Sequence, residues 1–197
     1  MTETKILLVD ALSLPLAAQV HAQAWRQSHR DFCSPEFVEM HTAERQKEYL
    51  RQKQREGCRL YLLWAPSPAG VVAVSPKGVI QDLYVLPQMQ NRGLGTALLR
   101  FAAEQCGQQA FLWILENNQG ARRLYLRNGF RETGRVENGG RLAQIELSLS
   151  RPFPWQKKGD AEGGGAPREK GQNLWKSRAE RGRLPLASRR AFVYNLR

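Results

Sequence analysis

Residues 90 to 96 read Gln90-Asn91-Arg92-Gly93-Leu94-Gly95-Thr96 and run directly into an apolar pattern of helical period. Those residue types at the start of a helix make an anion site. The first turn of a helix presents backbone N–H groups without intrahelical partners, at the positive end of the helix dipole. Gly93 and Gly95 carry no Cβ to hold phosphate oxygens away from that backbone, and Arg92 and the Gln90 side chain add charge and donors. Two familiar phosphate loops fail on spacing. No lysine follows Gly95, as GxxxxGK[ST] requires, and Leu98 stands where the dinucleotide fingerprint needs its third glycine.

The elements that must position this loop can be read from periodicity and turn residues. "KILLVD" (5–10) is strand-compatible, and Leu16, Ala17, Val20, Ala24 and Trp25 recur at helical spacing from Pro15 to about Ser28. A second helix is expected from Pro35 to about Glu56, with Phe37, Val38, Tyr49 and Leu50 for its buried side and Gly57 ending it. "RLYLLWA" (59–65) and "GVVAVSP" (70–76) form a hairpin, and "GVIQDLYVL" (78–86) is the strand that leads into the loop. The helix after the loop has the stripe Leu94, Ala97, Leu98, Phe101 and Ala102. "AFLWIL" (110–115) reads as a strand covered on both faces. Asn117 or Asn118 caps a helix through Arg127 that turns Ala121, Leu124 and Tyr125 to the core, with Gly129 and Phe130 as its stop. A last hairpin turns at 138–140, and Ala143, Ile145, Leu147 and Leu149 alternate with Gln144, Glu146, Ser148 and Ser150. The order β-α-α-β-β-β-α-β-α-β-β is an α+β domain around a mixed sheet.

Composition bounds the remaining choices. A chain of 197 residues, 42% hydrophobic, can bury one substantial core, so residues 1–150 are expected as the domain and 151–197 as an appendage. Residues 1–150 hold 18 Lys and Arg against 14 Asp and Glu, a net of +4; residues 151–197 hold 12 against 4, a net of +8. The charge excess therefore lies mainly in a Gly- and Arg-rich tail without sustained periodicity, expected to be largely disordered, in which Trp155 and Trp175 are the residues suited to docking on the domain. Cys33, Cys58 and Cys106 lack the spacing of a metal site or disulfide framework, which fits a reducing, cytoplasmic setting. No apolar run has the roughly 18 residues needed to span a bilayer. "ILLVDALSLPLAAQVHAQA" superficially resembles a secretory signal, but Asp10 interrupts it, and a strand followed by an amphipathic helix is the preferred reading.

Gln-x-x-Gly-x-Gly between a strand and a helix resembles the signature of the GNAT superfamily of acyl-CoA-dependent N-acyltransferases. "NNQGARRLYLRNGF" (117–130) is similar to that family's other motif, with Asn118, Ala121, Tyr125, Gly129 and Phe130 in the matching places, and "DLYVLP" (82–87) is similar to its fourth strand. The resemblance covers roughly residues 5–150. It implies an α+β fold with a mixed, mostly antiparallel central sheet whose fourth and fifth strands splay apart, and acetyl-CoA as the acyl donor. It also implies that backbone groups at Leu83 and Val85 bind the thioester and pantetheine. Those of Asn91, Arg92, Gly93, Leu94, Gly95 and Thr96 then bind the pyrophosphate, with Gln90 in the same loop and Asn118 beside the arm.

Acetyl transfer to an amine needs a neutral amine, a stabilised oxyanion and a proton for the departing thiolate. Tyr125 is the expected general acid, since a phenol stays protonated at neutral pH. Asp82 lies near where family members place acidic groups for the amine, but strand alternation leaves open which face its carboxylate takes; Glu116 and His29 are weaker candidates for the base. The acceptor is expected to be a small-molecule or peptide amine, gripped by the N-terminal helices, residues 28–37 and the hairpin near Asn138 to Arg141, by a monomer or homodimer without a membrane or metal. Two other readings share these residues. One is a non-catalytic acyl-CoA-binding module; the other is a nucleic-acid or ribosome-associated protein held by the basic tail, whose binding must weaken steeply with salt.

Overall fold

A computed structural model describes residues 4–31, 33–138 and 143–156. The strands are β1 (Lys5–Leu8), β2 (Arg59–Trp64), β3 (Pro68–Val74), β4 (Ile80–Val85), β5 (Gln109–Leu115), β6 (Arg131–Asn138) and β7 (Ala143–Ser150). The helices are α1 (Leu14–His29), α2 (Pro35–Glu39), α3 (Ala43–Arg55), α4 (Leu94–Glu104) and α5 (Gln119–Arg127). Strands β1-β2-β3-β4 form one antiparallel sheet in that order, and β5-β7-β6 form a second. The expected α+β architecture with parted fourth and fifth strands is the one observed.

Each face of the first sheet carries its own apolar cluster. On one face Leu60, Leu62, Val71 and Ala73 meet Ala17, Ala18 and Val20 of α1 and Leu50 of α3. On the other, Leu63, Val72 and Val74 meet Leu98, Leu99 and Ala102 of α4, Tyr125 of α5, and Leu112 and Leu147 of the second sheet. Burying a Leu- or Val-sized side chain contributes about 1.5–3 kcal/mol. The two clusters clamp the first sheet from both sides and fix where β4 ends.

Four details differ from the sequence expectation. The single helix expected over 35–56 is two helices. The Thr42 hydroxyl accepts from the Arg45 N–H at 3.3 Å and starts α3, while the Met40 N–H closes α2 on the Glu36 carbonyl at 3.1 Å. The break lets His41 stack on Trp25, with ring centroids 3.4 Å apart. In α4, Ala97 is exposed and the buried stripe instead includes Leu99 and Ala103, on the side that packs against β3 and β4. Glu146 is buried although alternation sends it outward: Thr133 donates to it at 2.9 Å and Arg135 at 3.2 Å, and the Arg135 guanidinium lies over the Trp113 ring on the same face. The core also continues past Ser150. Phe153 is fully buried, and Trp155 docks by donating to Glu104 at 2.9 Å beneath the Arg100 guanidinium. The hairpin tip at 139–142 and Trp175 lie outside the described residues.

Candidate functional site

Among the described residues the two sheets are bridged at Val79 and Phe111, where the Phe111 N–H donates to the Gly78 carbonyl at 3.0 Å. Beyond it β4 and β5 run parallel and part, leaving a cleft that opens toward Val85 and Leu115. The Leu86 N–H donates to Ala69 of the β3 side at 2.8 Å. Successive residues of a strand send their backbone groups to opposite edges, so those of Val85, and of Leu83 two residues earlier, point into the cleft. An edge of this kind can hold an extended chain by main-chain hydrogen bonds.

At the open end of the cleft lies the glycine loop. The Gln90 side chain donates to the Val85 carbonyl at 3.0 Å, so it braces the loop against β4. Asn91 and Gly93 take the left-handed conformation, with φ of +59° and +79°, to turn the chain into α4. A Cβ on Gly93 would meet nothing within 4 Å, and one on Gly95 would find Leu124 at 3.6 Å. The glycines are there for backbone conformation and open approach, not for tight packing. The first rung of α4 is the Ala97 N–H on the Gly93 carbonyl at 3.0 Å, and no side chain among the described residues caps the helix. The N–H groups of Leu94, Gly95 and Thr96 therefore precede the helical ladder and face outward. Arg92 is exposed beside them, and Arg127 reaches over from α5 to donate to the Thr96 hydroxyl at 3.4 Å. Three amides and two guanidinium groups around an uncovered helix start fit a diphosphate. In the sequence Arg127 reads only as the end of a helix, because its partner, Thr96, is 31 residues away.

On the α5 side of the cleft, the Asn118 side chain accepts from the Ala121 N–H at 3.0 Å and caps the helix. Tyr125 is buried in the same core cluster that Leu83 packs against, its ring 5.9 Å from that of Phe130. Burial in these apolar surroundings pushes its phenol up to about 12, so it is protonated at every physiological pH.

The opposite face of β4 is polar. Between the pairs Val71 to Tyr84 and Ala73 to Gln81, β4 carries one residue more than β3. At that bulge Asp82 has φ +51°, a conformation that Asp tolerates better than most residues. The orientation left open by the sequence is thereby decided: the carboxylate lies under α1 and α3, only 4% exposed. Tyr49 of α3 donates to its two oxygens at 3.1 and 3.0 Å, and His21 Nε2 of α1 lies 3.5 Å from Oδ1. The Tyr84 ring meets His21 edge-on at 4.9 Å, and its phenol is raised well above the usual tyrosine value, chiefly by burial and then by Asp82 and Tyr125. Tyr84 thus links the two faces of the strand.

The weaker base candidates lie elsewhere. Glu116 is exposed, with its backbone N–H on the Ala143 carbonyl at 2.9 Å. His29 stacks on Trp25 with ring centroids 3.9 Å apart, and burial pushes its imidazole down to about 4. His21, buried, and Tyr49, half-buried, carry no site assignment from the sequence because each lies on the core-facing side of its helix, where a packing role is the ordinary reading. Among the described residues no group of His, Cys, Asp and Glu is placed to hold a metal ion, and no helix is long and apolar enough to cross a membrane.

Comparison with known proteins bears directly on this geometry. Residues 22–130, more than half of the chain, match the acetyltransferase (GNAT) family. A solved structure of PaiA N-acetyltransferase from Thermoplasma acidophilum, in complex with coenzyme A, is 16% identical. It covers 75% of this chain and 99% of its own, at a TM-score of 0.60. The ribosomal-protein-S18-alanine N-acetyltransferase from Escherichia coli is 20% identical over 75% of this chain and 94% of its own, with a TM-score of 0.55. RimL, the ribosomal L7/L12 alpha-N-protein acetyltransferase in complex with coenzyme A, is 16% identical over 76% and 95%, with a TM-score of 0.59. At these identities the likeness is one of fold. Among curated protein sequences the chain finds no match.

Proposed function

The chain belongs to the acetyltransferase (GNAT) family, and we propose that it transfers an acetyl group from acetyl-coenzyme A to a primary amine of a small molecule, peptide or protein. The observation that carries this reading is the cleft itself. An edge of β4 that no strand pairs beyond the Val79 to Phe111 bridge, met only by Gln90 at Val85, leads among the described residues to an uncovered helix start with two arginines beside it. The N–H groups from Asn91 to Thr96, with Arg92 and Arg127, hold the diphosphate; Gln90 fixes the loop that carries them. Backbone groups of Leu83 and Val85 hold the pantetheine arm, and Asn118 flanks it from the start of α5. The bound donor supplies an activated acyl carbon and a sulfur leaving group.

Tyr125 gives its proton to the departing sulfur. The phenol is held protonated by burial, and a thiolate released into the same dry surroundings has its own proton affinity raised for the same reason. Asp82 acts on the acceptor side of β4, where its carboxylate is anchored by Tyr49. The relatives named above include two that act, by name, on ribosomal proteins, and a peptide amine is one acceptor class to test. The test is acetyl-CoA-dependent thiol release over a panel of polyamines, amino acids and peptides. Saturable release with at least one amine is the expected result. Tight coenzyme A binding with no release on any amine would instead mark a binding module.

A further inference from the structure

We propose that His21 accepts the proton of the attacking amine, and that Asp82 and Tyr49 hold it ready to do so. The proposal rests on the acetyl-transfer reading above and assigns the base that reading lacks. Its starting point is an unpaired atom. His21 is 2% exposed, and its Nδ1 is buried without a hydrogen-bond partner among the described residues. Buried polar atoms are almost always paired, so such an exception calls for a role.

The neighbours determine which nitrogen carries hydrogen. An ionised carboxylate only accepts, so the His21 nitrogen facing Asp82, Nε2 at 3.5 Å, is the N–H. Nδ1 is then left with a bare lone pair. The contact is long for a hydrogen bond, as such contacts often are before substrate tightens them. Tyr49, donating to both Asp82 oxygens, keeps the carboxylate from turning away. His21 also packs edge-on against Tyr84 of the same face of β4. Acid and base thus lie on opposite faces of β4, one of the two strands that border the cleft.

In the balanced reaction the nitrogen lone pair forms the C–N bond as the C–S bond breaks. The amine proton passes to the buried His21 Nδ1 through one water, and Tyr125 supplies the proton to sulfur. Exchange with solvent then returns the imidazolium proton and restores the phenol. The titratable groups around His21 are Asp82 and Tyr84 on β4, Tyr49 and Lys53 on α3, His29 on α1 and His41 between α2 and α3. Lys53 is itself buried, donating to Gln81 at 2.9 Å.

His21→Gln keeps a donor toward Asp82 and removes the base. kcat/KM for the amine should fall about 10²-fold, the acid limb of the pH profile should vanish, and coenzyme A should bind as before by calorimetry. Asp82→Asn, which alters only the positioning, should cost roughly tenfold and keep an acid limb. An independent readout needs no turnover. The chain has three histidines, so long-range 1H–15N spectra can resolve each ring, and His21 should show the Nε2–H tautomer, with a mixture in Asp82→Asn. Retention of full activity and of the acid limb in His21→Gln, or an Nδ1–H tautomer in the wild type, overturns the proposal. If His21→Gln does not fold, the wild-type tautomer decides. Absence of any acetyl transfer by the wild type counts against the broader reading instead, since the tautomer is measured on the free protein.

Discussion

The two faces of β4 treat a buried polar group in opposite ways. Toward α5, Tyr125 is set among Leu83, Leu98 and Phe130, an apolar surrounding that keeps the phenol neutral. Toward α1 and α3, Asp82 is surrounded by donors from helices 33 and 61 residues away. The first face relies on backbone geometry, with Arg92, Arg127, Gln90, Asn118 and Tyr125 beside it; the second is a constellation of side chains alone. A donor shared by a whole family can be held by main-chain groups that tolerate sequence change, while an acceptor must be recognised by side chains particular to one protein. On the function proposed above, the difference between the faces is a division between cofactor and acceptor.

Changes on the two sides should separate stability, turnover and binding. The largest expected effect is on the acceptor side and concerns pH. Burial against Trp25 pushes His29 from an ordinary value near 6.5 down to about 4. Below about pH 6.5 the unfolded chain takes up a proton that the native one does not. Stability should then fall as the pH drops from about 6.5 to about 4, by on the order of 3 kcal/mol, and level off below. Urea unfolding across that range checks it, and His29→Gln should flatten that stretch of the curve.

On the cofactor side, Tyr125→Phe should lower turnover by roughly 10²-fold, about 2.7 kcal/mol in barrier, with coenzyme A affinity intact. A parallel loss of affinity in calorimetry would show that the phenol serves binding and blur the division. Tyr49→Phe removes the donor to both Asp82 oxygens and should cost about 1–3 kcal/mol in urea unfolding, because it leaves a buried carboxylate short of partners. A neutral result would mean that water already satisfies Asp82. Gly93→Ala is the smallest change. A side chain at φ +79° costs about 1 kcal/mol, and coenzyme A should bind more weakly while the acceptor face is untouched. An amine KM that moves with it would contradict the separation.

How much of this was legible in the sequence follows the same line. The glycine loop and the 118–130 motif are contiguous, and each residue has a local reason to be there: positive φ at Gly93, a cap at Asn118, a buried aromatic at Tyr125. The parting of β4 from β5 was inferable because those motifs sit at fixed places in one fold. The acceptor side was not. His21, Tyr49 and Asp82 come from three elements, and the face that Asp82 takes depends on one extra residue in β4 that no alternation pattern marks. The break between α2 and α3 was hidden for a related reason. Thr42 is a cap signal, but the polar-rich pattern around it continues at helical spacing on both sides.

The central claim is that the amides opening α4 hold the diphosphate of coenzyme A, and titrating 15N-labelled protein with coenzyme A tests it most directly. Saturable shifts concentrated at Arg92 to Thr96, Leu83 and Val85, with the β1 and α3 signals still, are the expected result. Saturation with shifts confined to other surfaces, or no binding at millimolar coenzyme A, would contradict it.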